Sequence, residues 1–245
     1  MKTEAGWHVV LLSDGSQVPA RAVILATGAE YRRPAVEGWA ARETNGIYYA
    51  ATETEGRMCA AEPVAVIGGG NSAGQAALFL AGKGCDVHVL IRGDSLASSM
   101  SRYLIDRIDA DRRITVEART EVRALHGSAQ LDGVTVERTA SGALERLALA
   151  AVFCFIGAVP ATSWLDGCLA TDDKGFLRTD RDLAPCDLGP SWDALGRAPL
   201  PFETNVPGVF AAGDVRAGSI KRVAAAVGEG STAVRSVHEH LSVVQ

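Results

Sequence analysis

The sequence has no C-x-x-C pair, no cluster of basic residues and no apolar run of about 20 residues, the length a membrane-spanning helix needs. Its longest apolar stretch, LALAAVFCFIGAV at 147–159, reads as a buried strand. The five cysteines (Cys59, Cys85, Cys154, Cys168 and Cys186) are scattered and odd in number, which is not a disulfide framework. Cytoplasm is therefore the default expectation. A net charge of -5 without a basic stripe argues against a nucleic-acid partner. The N-terminus, MKTEAGWHVVLL, lacks the apolar core and small-residue cleavage site of an export signal, and no membrane partner is expected.

Metal chemistry is equally short of material. His238 and His240 alternate with Glu239 in a predicted helix, where residues two apart face away from each other. His88 falls inside a predicted strand and reads as core. His126 lies at a predicted turn and reads as solvated. No Ser-His-Asp order stands out, and no catalytic residue is assigned.

Glycine is plentiful, at 26 of 245 residues, which suggests backbone brought close to ligands or to other backbone. WHVVLL at 7–12 predicts a strand, SDGS a turn, and VPARAVILATG a second strand ending at Ala26, Thr27 and Gly28. EPVAVIGGGNSAGQAALFLAGKG, from residue 62, predicts a buried strand, a glycine turn and a helix. Ala73, Ala76, Ala77, Leu80 and Ala81 form one face of that helix, and Gly82 and Gly84 bracket its end. DVHVLIR at 86–92 is the next strand, and SMSRYLIDRIDAD predicts a helix. ITVEART, EVRALHG, LDGVTVERT and ALERLALA read as a meander. Residues 161–207 hold five of the nine prolines and predict loops. GVFAAGD is a further strand, and a helix closes the chain.

Gly68, Gly70 and Ala73 fit G-x-G-x-x-G/A, with Asn71 and Ser72 between them. The first glycine allows a tight turn, the second lets a pyrophosphate approach the backbone, and the small third residue lets helix pack on strand. The helix N-terminus supplies free N–H groups. At the end of the second strand, where an acidic residue would bind ribose hydroxyls, the sequence has Arg92. A guanidinium there suits a 2′-phosphate, so NADPH is expected over NADH. Asp214, after Gly213, is open to two readings: a carboxylate for sugar-like hydroxyls, or an ordinary strand end. Lys221, Arg222 and Val223 are expected to begin the last helix, whose N–H groups could face an electron-rich carbonyl.

Residues 9–34 and 134–160 share a pattern: strand, glycine turn, strand, small residues, then Gly28 with Pro34 or Gly157 with Pro160. Gly68 and Gly157 are 89 residues apart, whereas 27 residues precede Gly28. The expectation is that the first unit has lost its opening strand, glycine loop and helix, and that the chain is truncated at its N-terminus.

ETNVPGVFAAGDV with KRVAAAVGEG resembles the C-terminal FAD motif of the thioredoxin reductase-like flavoproteins. VILATGAEYRRP resembles their mid-chain FAD motif, and VAVIGGGNSAGQAALFLA their NADPH loop. The resemblance covers almost the whole chain. It implies an α/β fold of Rossmann-like three-layer nucleotide-binding domains, with an NADPH domain (62–160) inserted into a partial FAD domain (1–61 and 161–245). It also implies that Asp214 binds the FAD ribityl chain, that Arg222 and Val223 lie near the isoalloxazine, and that Thr27 and Gly28 line the FAD cleft. Gly213 and Gly157 belong to the same cofactor set.

The departures matter too. Where thioredoxin reductases carry C-x-x-C, this sequence has about Ala51 and Thr54; Cys59 nearby reads as a buried or incidental thiol. Where the family has a double Arg this sequence has Arg92 followed by Gly93, the family's later Arg is replaced near Ala97, and Arg102 is a candidate to compensate. GGGNSAGQAA with RGDSLASSMSRYL resembles a subgroup in which the flavoprotein part can be fused to an N-terminal cyclic-nucleotide-binding domain. The expected activity is hydride transfer from NADPH to FAD and on to a small-molecule or protein acceptor, such as a quinone or ferredoxin. The alternative is a truncated NADPH-binding or redox-sensing module without turnover. A homodimer is a further expectation.

Overall fold

The computed structural model describes residues 2–4, 7–128 and 130–243. The elements run β1 (Lys2–Glu4), β2 (Trp7–Leu11), β3 (Gln17–Ala20), β4 (Val23–Leu25), β5 (Ala29–Tyr31), β6 (Ile47–Tyr48), α1 (Glu53–Met58), β7 (Pro63–Ile67), α2 (Asn71–Gly82) and β8 (Asp86–Leu90). Then come α3 (Arg102–Ala110), β9 (Ile114–Glu117), β10 (Thr120–His126), β11 (Gly133–Arg138), β12 (Ala143–Leu147), β13 (Ala151–Cys154), β14 (Ala158–Pro160), α4 (Pro190–Leu195), β15 (Val209–Ala211) and α5 (Val223–Val243). The chain divides into two compact units, residues 31–157 and residues 1–30 with 158–245. It passes from one unit to the other through β5 and β14, which pair.

The unit of residues 31–157 is a parallel sheet in the order β6-β13-β7-β8-β9. β7 is short, apolar and buried along its middle three residues, as expected of a strand covered on both faces. On one face lie α2 and α3. Ala73, Ala77, Leu80, Leu104 and Ile108 pack there against Val64, Val66, Val87, Val89 and Phe153. On the other face Ala65, Leu90 and Val152 meet Val122, Val134, Val136 and Leu147 of the antiparallel meander β10-β11-β12. Burying one side chain such as Leu80 contributes about 1.5–3 kcal/mol. The helix face expected from Ala73 to Ala81 is buried as drawn, and Gly84 ends the turn at φ +91°.

Two expectations change here. ITVEART does not join the meander; its β9 pairs in parallel with β8, because its apolar residues Ile114 and Val116 pack on the helix side of the sheet. The division also falls at residue 30 rather than 61. Ile47 and Tyr48 pair with Val152 and Phe153, so residues 31–61 are bound into the sheet of the inserted unit.

The other unit holds an antiparallel β1-β2-β3 sheet, the parallel pair β4–β15, and α5. VPARAVILATG is two strands rather than one. Gln17–Ala20 pairs with β2, and Val23–Leu25 pairs with β15. Leu25, Val209 and Ala211 pack on one side of the parallel pair with Leu177 and Val215; Phe210 and Ala212 pack on the other with Ala233 of α5. No helix among the described residues is long and apolar enough to cross a membrane.

Candidate functional site

In the inserted unit the site begins where β7 ends. Gly68 stands at φ +136°, and a Cβ there would sit 2.5 Å from the Phe155 carbonyl oxygen. Only glycine fits both the angle and the space. Gly70 caps α2, its carbonyl accepting from the Gly74 N–H at 3.1 Å. A Cβ on Gly70 would meet nothing within 4 Å, so the backbone in front of the helix N-terminus is open. Asn71 and Ser72 are exposed at the first turn and Ala73 is fully buried. The Asn71 side-chain oxygen accepts from the Ser101 N–H at 2.7 Å, and the Ser99 hydroxyl donates to the Gly69 carbonyl at 2.8 Å. The segment before α3 is thereby tied to the glycine turn. Gly74 completes the fit, since a Cβ there would lie 2.8 Å from the Met100 sulfur.

Arg92 follows β8 by two residues. The Leu90 carbonyl accepts from the Gly68 N–H at 3.1 Å, so Arg92 and the glycine turn share the carboxyl end of the sheet. Its side chain is exposed and forms no ion pair with a described residue. Arg102, the candidate to compensate, is engaged with Asp106 at 2.7 Å. Gly157, at φ +98°, follows β13 on the other side of β7, and its carbonyl accepts from the Arg32 N–H at 3.0 Å. Successive connections run to opposite sides of β7, so Gly68 and Gly157 flank the point where ligands of open α/β sheets bind.

In the other unit β4 and β15 run parallel and end together, the Ala212 N–H donating to the Leu25 carbonyl at 3.0 Å. Beyond them lie Thr27 and Gly28 on one strand, Gly213 and Asp214 on the next. Thr27 Oγ1 donates to the Ala161 carbonyl at 3.1 Å, and Gly28 stands at φ +72° with open space where a Cβ would be. Asp214 is half-buried, and its carboxylate makes no hydrogen bond or ion pair with a described residue. Arg222 and Val223 are exposed at the start of α5. The helix begins at Val223, so Lys221 and Arg222 precede it; the Arg222 carbonyl accepts from the Ala226 N–H at 3.0 Å.

The model of the pyridine nucleotide-disulphide oxidoreductase family matches residues 1–230. The chain belongs to that family. Over 239 residues it is 30% identical to a subunit of the alkyl hydroperoxide reductase of Escherichia coli, covering 97% of this chain and 42% of that protein. Over 230 residues it is 31% identical to an NADH dehydrogenase of Ferdinandcohnia aciditolerans, covering 94% and 40%. The chain thus spans about two-fifths of the length of these relatives. The crystal structure of a thioredoxin reductase from Streptococcus pyogenes matches with a TM-score of 0.77 at 27% identity, covering 98% of this chain and 72% of that one. The Rossmann-like fold and the parallel sheet are those of the thioredoxin reductase branch, whose members use FAD and NADPH.

The residues present suit such nucleotides: an open helix N-terminus behind a turn that only glycine can make, and a carboxylate left free at a strand end. At the positions of the disulfide pair, Ala51 precedes α1 and Thr54 lies within it, with Thr52 and Glu55 forming a capping box. Cys59 is buried, and burial pushes its thiol up to about 11, so it is a poor nucleophile. His240 is buried and His238 exposed, as the two-residue spacing predicts. His88 is not simply core, because its Nδ1 meets the Glu117 carboxylate at 2.5 Å. His126 lies in β10 rather than a turn, 2.6 Å from the Thr135 hydroxyl. Sequence reasoning missed Glu229 and Arg216, which pair with each other while Glu229 accepts from the Gly213 N–H next to Asp214. The one signal available was a lone acidic residue in the small-residue run AAAVGEG.

Proposed function

We propose that the inserted unit binds NADPH at the Gly68 turn and that the other unit contributes to an FAD site, in an oxidoreductase that passes hydride from NADPH to FAD and electrons on to an acceptor. The observation that carries this reading is the unpartnered Asp214 carboxylate at the shared end of β4 and β15. Such a group is an acceptor for ligand hydroxyls. Gly68 and Gly70 would let a pyrophosphate approach the N–H groups that open α2. Arg92, exposed and without an ion-pair partner among the described residues, would hold a 2′-phosphate. The first N–H groups of α5, from Val223 on, would face an electron-rich ligand carbonyl. FAD, when bound, would supply the hydride acceptor, while the protein orients and sets electrostatics.

Ala51 and Thr54 offer no thiol, so the favoured acceptor is direct: a quinone, a small oxidant or a one-electron carrier such as ferredoxin. A second reading, NADPH binding or sensing without turnover, is favoured by the unit of residues 1–30 and 158–245, where, among the described residues, two parallel strands carry the Asp214 end. Flavin absorbance of the purified chain separates the two. A yellow protein bleached by NADPH supports the enzyme; a colourless protein that binds NADPH supports the module.

A further inference from the structure

A different side chain holds each end of the Gly213–Asp214 pair, and between them the Gly213 carbonyl accepts from the Arg216 N–H at 3.0 Å. The Gly213 N–H, on one side, donates to Glu229 Oε2 at 2.7 Å. The Asp214 carbonyl, on the other, accepts from Lys221 Nζ at 3.0 Å. Both holders are themselves fixed. Arg216 donates to Glu229 through Nη2 at 2.6 Å and Nε at 3.3 Å, and its guanidinium lies 5.0 Å over the Phe202 ring. Lys221 Nζ stands 4.3 Å over the Phe176 ring. Arg216 and Glu229 are both largely buried, with side-chain exposures of 14% and 11%.

The backbone has reason to need this. Gly213 stands at φ +76°, and glycine visits many other conformations as readily. One backbone bond, from the Arg216 N–H to the Gly213 carbonyl, closes the turn around Asp214; the peptides at the two ends of the pair set the remaining freedom of its carboxylate. Backbone contacts anchor the chain before and after: Ala212 to Leu25, and Val215 and Ala217 to Leu177. The two peptide groups that bracket Gly213 and Asp214 are held by side chains instead.

We infer that Glu229 and Lys221 are positioning residues that clamp the backbone on either side of Asp214 and so aim its carboxylate at the hydroxyls of the flavin nucleotide's polyol chain. This rests on the reading of Asp214 given under Proposed function. Glu229 acts through Asp214 without touching the ligand, and Arg216 keeps its carboxylate in place. Burial lowers the Lys221 ammonium below its usual range, while the charges of Asp214 and Glu229 act in the opposite sense.

The test is FAD titration of the full chain, followed by flavin fluorescence and by the visible circular dichroism of bound flavin. Arg216→Met/Glu229→Leu removes the clamp without stranding a buried charge. It is expected to weaken FAD about tenfold and to alter the visible band. Arg216→Met/Glu229→Gln keeps an amide oxygen for the Gly213 N–H and is expected to stay within about threefold. Lys221→Met is expected to lose about threefold to tenfold. These sizes correspond to one hydrogen bond of about 0.5–1.5 kcal/mol. In an Asp214→Asn background the Leu variant is expected to cost little more, since residues acting as one unit are not additive.

Wild-type affinity and an unchanged visible band in the Leu variant would overturn the inference. So would full additivity with Asp214→Asn. If the Leu variant does not fold, Lys221→Met decides: an unchanged affinity overturns the inference, and a loss that vanishes in the Asp214→Asn background supports it. A wild-type chain that binds NADPH but no FAD overturns the reading of Asp214 itself, which is a separate result.

Discussion

The unit of residues 31–157 closes its parallel sheet between two apolar layers, whereas the unit of residues 1–30 and 158–245 leaves much apolar surface in water. In the first, large exposed apolar side chains are few: Tyr31, Met58, Tyr103 and Leu144. In the second they include Trp7, Leu11, Ile24, Ile220, Val223 and Val227, with Val223 83% exposed. Helices α2 and α5 show the difference at close range. α2 buries Ala73, Ala77 and Leu80, whereas α5 buries only Ala233, Ser236 and His240 of 21 residues. The two units share one logic, a parallel strand running into a glycine-bearing turn, and in both a side chain ties the turn: the Ser99 hydroxyl at Gly69 in the first. In the second it is the Glu229 carboxylate at the Gly213 N–H, on a helix that buries far less apolar surface.

The largest break in this comparison should come from the cores themselves. Leu80→Ala in α2 is expected to cost about 2–5 kcal/mol in denaturant unfolding. Val227→Ala in α5, 63% exposed, should stay within about 0.5 kcal/mol. Equal costs would mean that α5 is covered in solution.

Glycines sharpen the point. Gly68→Ala forces a Cβ onto the Phe155 carbonyl and should cost about 1–3 kcal/mol, with NADPH binding weakened in step. Gly228→Ala, in open space on α5, should raise stability by up to about 1 kcal/mol through helix propensity. A Gly68→Ala protein with normal NADPH affinity would sink the assignment of that turn.

Arg92→Glu is expected to weaken NADPH by about tenfold, one charge-assisted contact or roughly 1.4 kcal/mol, while NADH binding changes less. An unchanged preference counts against a 2′-phosphate at Arg92.

The smallest effect is a pH dependence of opposite sign in the two units. Burial lowers both His8 and His240 below the usual 6.5; at His8 the His240 charge adds to this while a hydrogen bond to the Pro207 carbonyl opposes it, and at His240 Glu203 opposes it while the Arg197 and Arg21 charges add to it. The unfolded chain therefore binds protons that the folded unit refuses, and stability falls as pH drops below about 6.5. His88 is raised above 6.5, chiefly by its hydrogen bond to Glu117. Its contribution is complete below 6.5 and is lost as pH climbs through the folded value. Hydrogen exchange from pH 5.5 to 8, corrected for the intrinsic rate, should show amides around His8 and His240 losing protection toward acid, and those around His88 losing it toward alkali. Parallel trends in both would contradict the assignment.

Much of the inserted unit can be read along the chain because its signals are local. Val64 to Ile67, Gly68, Gly70 and the spacing from Ala73 to Ala81 each follow from a strand period, a turn or a helix period. Thr27, Gly28, Gly213 and Asp214 could be singled out one by one, but not joined. Their adjacency depends on β4 pairing with β15 across more than 180 residues, and no local period encodes that. β9 was misplaced for a related reason: an alternating strand looks the same in a meander and at a sheet edge.

By itself the sequence determined the fold class, the glycine turn after β7, the buried face of α2 and the lack of a thiol pair, since each depends on neighbours within a few residues. The tertiary structure alone decided that residues 31–61 belong to the inserted unit and that Glu229 reaches back to the Gly213 amide. Those outcomes depend on which distant groups meet in space, where burial and competition for hydrogen-bond partners settle what each side chain is left to do.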